Sequence, residues 1–288
     1  MKQLLILSGK GGTGKTTIAS SFIKLSNARA YADCDVDAPN LHLIRTQSIK
    51  PLEANYYGLP KAVIDTNLCT NCGICIKHCK FHAIEKKENY IVDLFSCEGC
   101  GLCEKLCPSS AVSLREVPSG KVMLFKDKEI FSTSKLYVGS GTSGKLVTEV
   151  KKNLFNEARN KNIELAIIDG SPGIGCPVIA SLSGVDMVLI VAEPSISGIN
   201  DMKRIIETAN KFQVKTCLCI NKFDISLENS KLIRDYCEEE QIDFVGQIPF
   251  DKAAIDAINE GKAVVDMDCN ASVSIKKVFN STMNLVLN

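Results

Sequence analysis

Along most of this chain, short and almost wholly apolar runs alternate with longer stretches whose apolar positions recur at helical spacing. The first run, Lys2 to Leu7, reads as a strand; a glycine-rich turn follows, then a helix from about Lys15 to Leu25, a second strand near Ala28 to Ala32 and the acidic run "DCDVDAPNL". Alternation resumes near Lys121 with the strand "KVMLFKD", a helix around Leu146 to Asn160, the strand "IELAIIDG" and another helix. It continues through "VDMVLIVAE", "GINDMKRIIETANKF", "KTCLCINKF", "SLENSKLIRDYCEEE", "IDFVGQIPF" and two further helices. Strands that are apolar throughout belong in a parallel sheet covered on both faces. Right-handed crossovers then put a ligand site at the carboxyl ends of the strands. In "SVSIKKVFNSTMNLVLN", Ile275, Val278, Phe279, Met283 and Val286 share one helical face, which predicts a terminal helix packed on the sheet, a membrane-surface anchor being the other use of such a face.

The pattern breaks between residues 61 and 116, where turn residues and cysteines replace long periodicity. One α/β domain formed by 1–60 and 117–288, interrupted by a small α+β insertion at 61–116, is therefore predicted.

The chain has 288 residues, 45% of them hydrophobic, enough to bury a substantial core. Lys and Arg number 34 against 33 acidic residues, a formal charge of +1 that leaves no global footprint for nucleic acid or anionic membrane. The apolar run after Met1-Lys2-Gln3 ends too soon for a signal peptide, and no apolar stretch approaches a membrane span. A cytoplasmic protein is expected. In that compartment its 14 cysteines point to metal binding rather than disulfides.

"GKGGTGKTT" satisfies G-x-x-x-x-G-K-[ST] between a predicted strand and a predicted helix. Gly9, Gly11, Gly12, Thr13, Gly14, Lys15, Thr16 and Thr17 are thus expected to bind ATP: backbone N–H groups cradle the phosphates, Lys15 reaches the β and γ oxygens, and the Thr16 hydroxyl holds Mg²⁺. A second stretch, Gly139 to Leu146, mimics the motif but has Leu146 where the metal-binding hydroxyl belongs, and reads as a loop and helix start.

Eight cysteines form two copies of C-x₂-C-x₂-C-x₃-C, the pattern of bacterial two-cluster ferredoxins. In that pattern the fourth cysteine of each run serves the other cluster. One [4Fe–4S] cluster should use Cys69, Cys72, Cys75 and Cys107, the other Cys97, Cys100, Cys103 and Cys79. Zinc is the alternative for C-x₂-C pairs, but the doubled four-cysteine spacing favours the clusters. Cys79 is followed by Lys80 where such motifs usually have proline, as Pro108 follows Cys107. Basic residues at Lys77, His78 and Lys80 are either a solvated face or a steering patch for an acidic redox partner. Cys34, Cys176, Cys217, Cys219, Cys237 and Cys269 have no metal spacing, and Cys217 and Cys219 read as strand packing.

With Lys10 ahead of the glycines, K-G-G-x-G-K-T-T resembles the deviant Walker A motif of the MinD/ParA/Mrp and nitrogenase iron-protein class of P-loop ATPases. The resemblance implies that Lys10 reaches the nucleotide of a partner subunit, and hence a homodimer or a heterodimer with a paralogue. "ADCDVDAPNL" resembles switch I of that class, with Asp33 and Asp35 as D-x-D and Asp35 orienting the attacking water; a cap or turn role is the alternative for Asp33, and an equal one for Asp37. "IIDGSPGIG" resembles Walker B and switch II, which implies Asp169 near Mg²⁺ and Gly173 at the γ-phosphate. "INKFD" and "IPFD" resemble the adenine-side segments, with Asn221 at the base edge and Pro249 on its face. In the nitrogenase iron protein a bridging-cluster ligand lies in the region of Cys176; packing is the simpler reading of that residue here.

The whole arrangement resembles the group of MinD-superfamily ATPases with an inserted two-cluster ferredoxin domain. Three functions compete: an ATP-driven electron-transfer device, a Mrp-like carrier or assembly ATPase for metal cofactors, and a MinD-like positioning switch. The first two imply a redox or cofactor-acceptor protein as partner; the third needs a membrane or DNA surface.

Overall fold

The computed structural model describes residues 1–45 and 47–287. Strand β1 (Lys2–Ser8), helix α1 (Lys15–Ser26), β2 (Ala30–Asp33), the short α2 (Leu41–Ile44) and β3 (Leu52–Tyr57) come first. The middle of the chain forms β4 (Lys61–Ile64), α3 (Ile74–His78), β5 (Ile84–Lys86), β6 (Tyr90–Val92), α4 (Leu102–Leu106) and β7 (Val112–Arg115). Then follow β8 (Pro118–Lys126), β9 (Ile130–Leu136), α5 (Ser143–Asn160), β10 (Leu165–Pro172), α6 (Cys176–Leu182) and β11 (Met187–Ala192). The chain ends with α7 (Ile196–Lys211), β12 (Lys215–Asn221), α8 (Leu227–Glu239), β13 (Asp243–Ile248), α9 (Lys252–Asn259) and α10 (Asn270–Leu287).

Nine strands make one sheet in the order β13-β12-β11-β1-β10-β2-β9-β8-β3. From β13 to β9 every pairing is parallel. The runs that form them, such as Leu4 to Leu7 and Val188 to Val191, are buried on both faces, because α5 to α8 cover one side and α1 and α10 the other. The terminal helix packs as its pattern predicts: Ile275, Val278, Met283 and Val286 are buried, and the Phe279 ring meets Phe22 edge-on at 5.1 Å. Among the described residues, no helix is long and apolar enough to cross a membrane.

The far edge differs from the expected pattern. "KVMLFKD" does not extend the parallel set; β8 runs antiparallel to both β9 and β3. Neither β3 nor β9 is legible as a strand in the sequence. β9 carries Ser132, Thr133 and Ser134 in buried positions, which interrupts its apolar run; Ser132 Oγ is satisfied by the Val150 carbonyl at 2.8 Å.

The cysteine-rich segment springs from this edge, where Tyr57 at the end of β3 pairs with Pro118 at the start of β8. Within it β4 pairs with β7 and β5 with β6, both antiparallel, around a small core of Ala62, Ala83, Cys97 and Val112. The two halves repeat one another: left-handed backbone recurs at Asn71 and Gly99, at Gly73 and Gly101, and at His82 and Ser110.

Candidate functional site

Strand β1 ends at Ser8, and the glycine loop between it and α1 lies at the carboxyl edge of the parallel sheet. Gly14 has φ +89° and precedes α1 without any side-chain cap, which leaves the first N–H groups of the helix open to an anion. A side chain at Gly14 would also collide with Asn221 Nδ2. That amide nitrogen donates to the Thr13 carbonyl at 2.7 Å, and Lys222 Nζ donates to the Gly12 carbonyl at 2.9 Å. Two residues at the end of β12 thus brace the loop from outside.

Lys15 extends across to Asp169 on β10, Nζ to Oδ1 2.5 Å. Burial alone would pull the Lys15 ammonium down, but the Asp169 carboxylate beside it holds its pKa above the ordinary value. Asp169 Oδ2 is buried and has no hydrogen-bond partner among the described residues, as fits a carboxylate that would serve a bound metal ion. Asp33 ends β2 and is wholly buried. Its carboxylate accepts N–H bonds from Asp35 (3.0 Å), Asn40 and Leu41 (both 2.9 Å), folding the acidic run into a fixed turn. Burial, then the neighbouring Asp169 charge, pushes the Asp33 pKa up to about 7. Asp35 faces the cleft, its carboxyl raised by burial and drawn back by Lys15.

Lys10 points to the start of α7. Its Nζ lies 3.1 Å from Ser195 Oγ, 3.5 Å from Ser197 Oγ and 3.6 Å from Glu193 Oε2. Gly173, at φ +90°, donates its N–H to the Ser8 carbonyl at 3.0 Å. A cleft of about 740 Å³ is lined by Lys10 to Thr17, Asp35 and Asp37 together with Pro249, Phe250, Ile255 and Ile275, whereas Asp33, Asp169 and Gly173 are not among its lining residues. Asn221 and Pro249 both reach it, while the nitrogen of Asn221 is already committed to the loop. The cleft has the two chemistries a nucleotide needs, an N–H-rich anion cradle and an apolar slot.

In the cysteine-rich segment, one small cavity is lined by Cys69, Cys72, Cys75 and Cys107, and another by Cys79, Cys97, Cys100 and Cys103. The fourth cysteine of each run lines the cavity of the other run's first three. Ala111 N–H donates to Cys107 Sγ (3.2 Å), Ala83 N–H to Cys79 Sγ (3.4 Å) and Ala62 N–H to Cys97 Sγ (3.5 Å). Four cysteines line each void, a donor set that would fit a [4Fe–4S] cluster. Among the described residues, no group of three His, Cys, Asp or Glu side chains is close enough to hold a single metal ion.

The other cysteines line neither cavity. Cys34, Cys217, Cys219 and Cys237 are buried in the sheet core, and Cys176 is exposed at the first turn of α6. Gly139 to Leu146 is a loop and the first turn of α5, with Lys145 Nζ 3.3 Å from the Tyr57 carbonyl. Lys77, His78 and Lys80 are all exposed. Lys222, Glu193 and Ser195 were not legible as site residues, because each acts through a contact with a residue far away in sequence. Lys61 is a further case: it is buried, and its Nζ donates to the Cys97 carbonyl at 2.5 Å.

The model of the CobQ/CobB/MinD/ParA nucleotide binding domain matches residues 4–265 of the chain. An uncharacterized protein of Methanocaldococcus jannaschii is 36% identical to it, over 99% of this chain and 97% of that protein. An iron-sulfur cluster carrier protein of Pyrococcus abyssi is 23% identical, over 91% of this chain and 79% of that protein. The crystal structure of the Pyrococcus furiosus cell division ATPase MinD has the same fold, with a TM-score of 0.59 over 99% of both chains at 15% identity.

Proposed function

From membership of the CobQ/CobB/MinD/ParA nucleotide binding domain family, to which this chain belongs, we propose an ATPase whose nucleotide-dependent dimerisation is coupled to electron transfer through two [4Fe–4S] clusters. The observation that carries this reading is the sorting of eight cysteines into two sets of four, each around its own cavity, in a chain that also carries a nucleotide-sized cleft lined by the glycine loop.

In this mechanism Lys15 leaves Asp169 for the β and γ oxygens of ATP. The Thr16 hydroxyl and, through water, the freed Asp169 carboxylate would hold Mg²⁺, which neutralises charge on the phosphates. Asp35 orients the attacking water, its position fixed by the turn that Asp33 organises. Gly173 exchanges the Ser8 carbonyl for the γ-phosphate, so the segment leading into α6 moves with the nucleotide state. Lys10 gives up Glu193 and Ser195 and completes the site of a second subunit, another copy or a paralogue. Cys69, Cys72, Cys75 and Cys107 hold one cluster, and Cys79, Cys97, Cys100 and Cys103 the other. The clusters supply one-electron storage; eight thiolates in closed sets suit retention.

A second reading, a carrier ATPase that hands clusters on, is favoured by the name of the Pyrococcus abyssi relative. One experiment separates the two. The anaerobically reconstituted, reduced protein is mixed with ATP or a non-hydrolysed analogue, and cluster EPR, electron delivery to a redox dye and oligomeric state are followed. Nucleotide-dependent changes with both clusters retained support the electron-transfer device. Loss of clusters to an apo-acceptor on addition of ATP supports the carrier, and no change in any readout ends the redox proposal.

A further inference from the structure

The repeat inside the cysteine-rich segment makes its two halves comparable residue by residue, and one residue breaks the match. Lys61 immediately precedes Ala62 of β4, as Asn89 immediately precedes Tyr90 of β6. Asn89 is exposed and neutral. Lys61 is only 8% exposed, and its ammonium is held on the carbonyl of Cys97, a cysteine of the set formed with Cys79, Cys100 and Cys103.

Several other local influences match between the halves. Asp65 and Asp93 stand at matching positions, each accepting the N–H of the first cysteine of its run on its backbone carbonyl. Ala83 N–H to Cys79 Sγ matches Ala111 N–H to Cys107 Sγ. The bond from Ala62 N–H to Cys97 Sγ is balanced by the Ser109 hydroxyl, 3.7 Å from Cys107 Sγ. Glu98 and Glu104, where the first half has Thr70 and Ile76, oppose Lys61; Glu98 is exposed and water screens it, and the half-buried Glu104 carboxylate is committed to the Leu114 N–H at 3.0 Å. Lys61 sits where screening is weakest.

Resting on the proposed cluster ligation, we infer that the two clusters are inequivalent, and that Lys61 makes the cluster of Cys79, Cys97, Cys100 and Cys103 the more readily reduced. Each added electron makes a thiolate-bound cluster more negative, and a buried cation favours that state. This cluster also lies toward the ATPase domain. A Cβ at Gly139 would meet the Phe95 ring at 2.8 Å, one at Gly141 would come within 3.9 Å of Glu98 Oε2, and one at Gly99 would strike the Pro60 carbonyl. An electron entering at the outer set of Cys69, Cys72, Cys75 and Cys107 therefore runs downhill to the set nearer the nucleotide switch, oxidising the first cluster as it reduces the second.

The test is a dye-mediated EPR potentiometric titration of the reconstituted full-length chain, with iron and sulfide assayed first. Two separate midpoints are expected. Cys100→Ser should remove or shift the higher-potential component and leave the lower one, and Cys72→Ser the reverse. Lys61→Gln should make reduction of the higher-potential cluster at least about tenfold less favourable, ~59 mV for one electron, while Lys61→Arg preserves it. Coincident midpoints, a higher-potential component that survives in Cys100→Ser, or a loaded Lys61→Gln protein with unmoved potentials would overturn the inference while leaving the clusters in place. The cysteine variants decide the assignment even where Lys61→Gln loads poorly. Iron and sulfide too low for two clusters would overturn the ligation itself, and the inference with it.

Discussion

Lys15 Nζ stands 2.5 Å from Asp169 Oδ1 at the floor of the cleft, a pair whose side chains are 6% and 0% exposed. The ammonium has two uses, neutralising a buried carboxylate without nucleotide and gripping phosphate with it. Lys15→Met should therefore lose both: nucleotide binding, and about 3–5 kcal/mol of stability, because Asp169 is left buried and unpaired. Lys15→Met/Asp169→Asn should recover much of the stability without recovering ATP binding. Denaturant titration and calorimetry with ATP check the two effects; a single variant as stable as the parent would contradict the pairing.

Lys10 rests on Ser195 and Glu193 of its own chain and is 35% exposed, a loose tether that a second subunit can compete away. Lys10→Ala should keep ATP binding and lower turnover by roughly 10³-fold, the scale of a cationic finger supplied in trans. Mixing it with Asp35→Ala, which binds nucleotide but lacks the water-orienting carboxylate, should restore activity in a fraction of mixed dimers. In such a dimer, one site takes its lysine from the Asp35→Ala chain and its carboxylate from the other. Full turnover by Lys10→Ala alone would end this assignment.

Asp33 gives a pH dependence with a definite sign. Its pKa is about 7 in the folded chain against an ordinary 3.8, so between these values the folded state holds a proton that the unfolded state has released. Stability from this group is complete below pH ~3.8 and is lost as pH rises through about 7. The nucleotide-free protein should lose on the order of 1–2 kcal/mol between pH 5.5 and 7.5 from this source. Asp33→Asn should flatten that slope. Thermal unfolding across the window checks it, and equal slopes for the two proteins would show that Asp33 does not titrate there.

The parallel half of the fold is legible because its signals are local: apolar runs such as Leu4 to Leu7, and helices whose faces alternate. At the β3–β8–β9 edge only β8 is legible, because β8 pairs antiparallel with both neighbours and β9 buries Ser132 to Ser134, satisfied in part by a helix carbonyl. The same division holds at the sites. Lys15, Asp169 and the eight spaced cysteines carry motif signals. Lys222 on the Gly12 carbonyl and Lys61 on the Cys97 carbonyl carry none, since each becomes visible only when chain folding brings a distant backbone oxygen to it.

The crossing of the fourth cysteines makes a pairing prediction that single substitutions can read. Cys79 and Cys97 are far apart in sequence yet line the same cavity; Cys107 and Cys69 share the other. Cys79→Ser and Cys97→Ser should therefore perturb the same EPR component of the reduced protein, and Cys69→Ser and Cys107→Ser the other. Were each run of four to hold its own cluster, Cys79→Ser would instead group with Cys69→Ser. Cys176→Ser should alter neither component, nor the iron content, because its exposed thiol lines neither cavity. Should Cys176→Ser lose iron only in the dimeric, nucleotide-bound state, that thiol would instead be bridging two subunits.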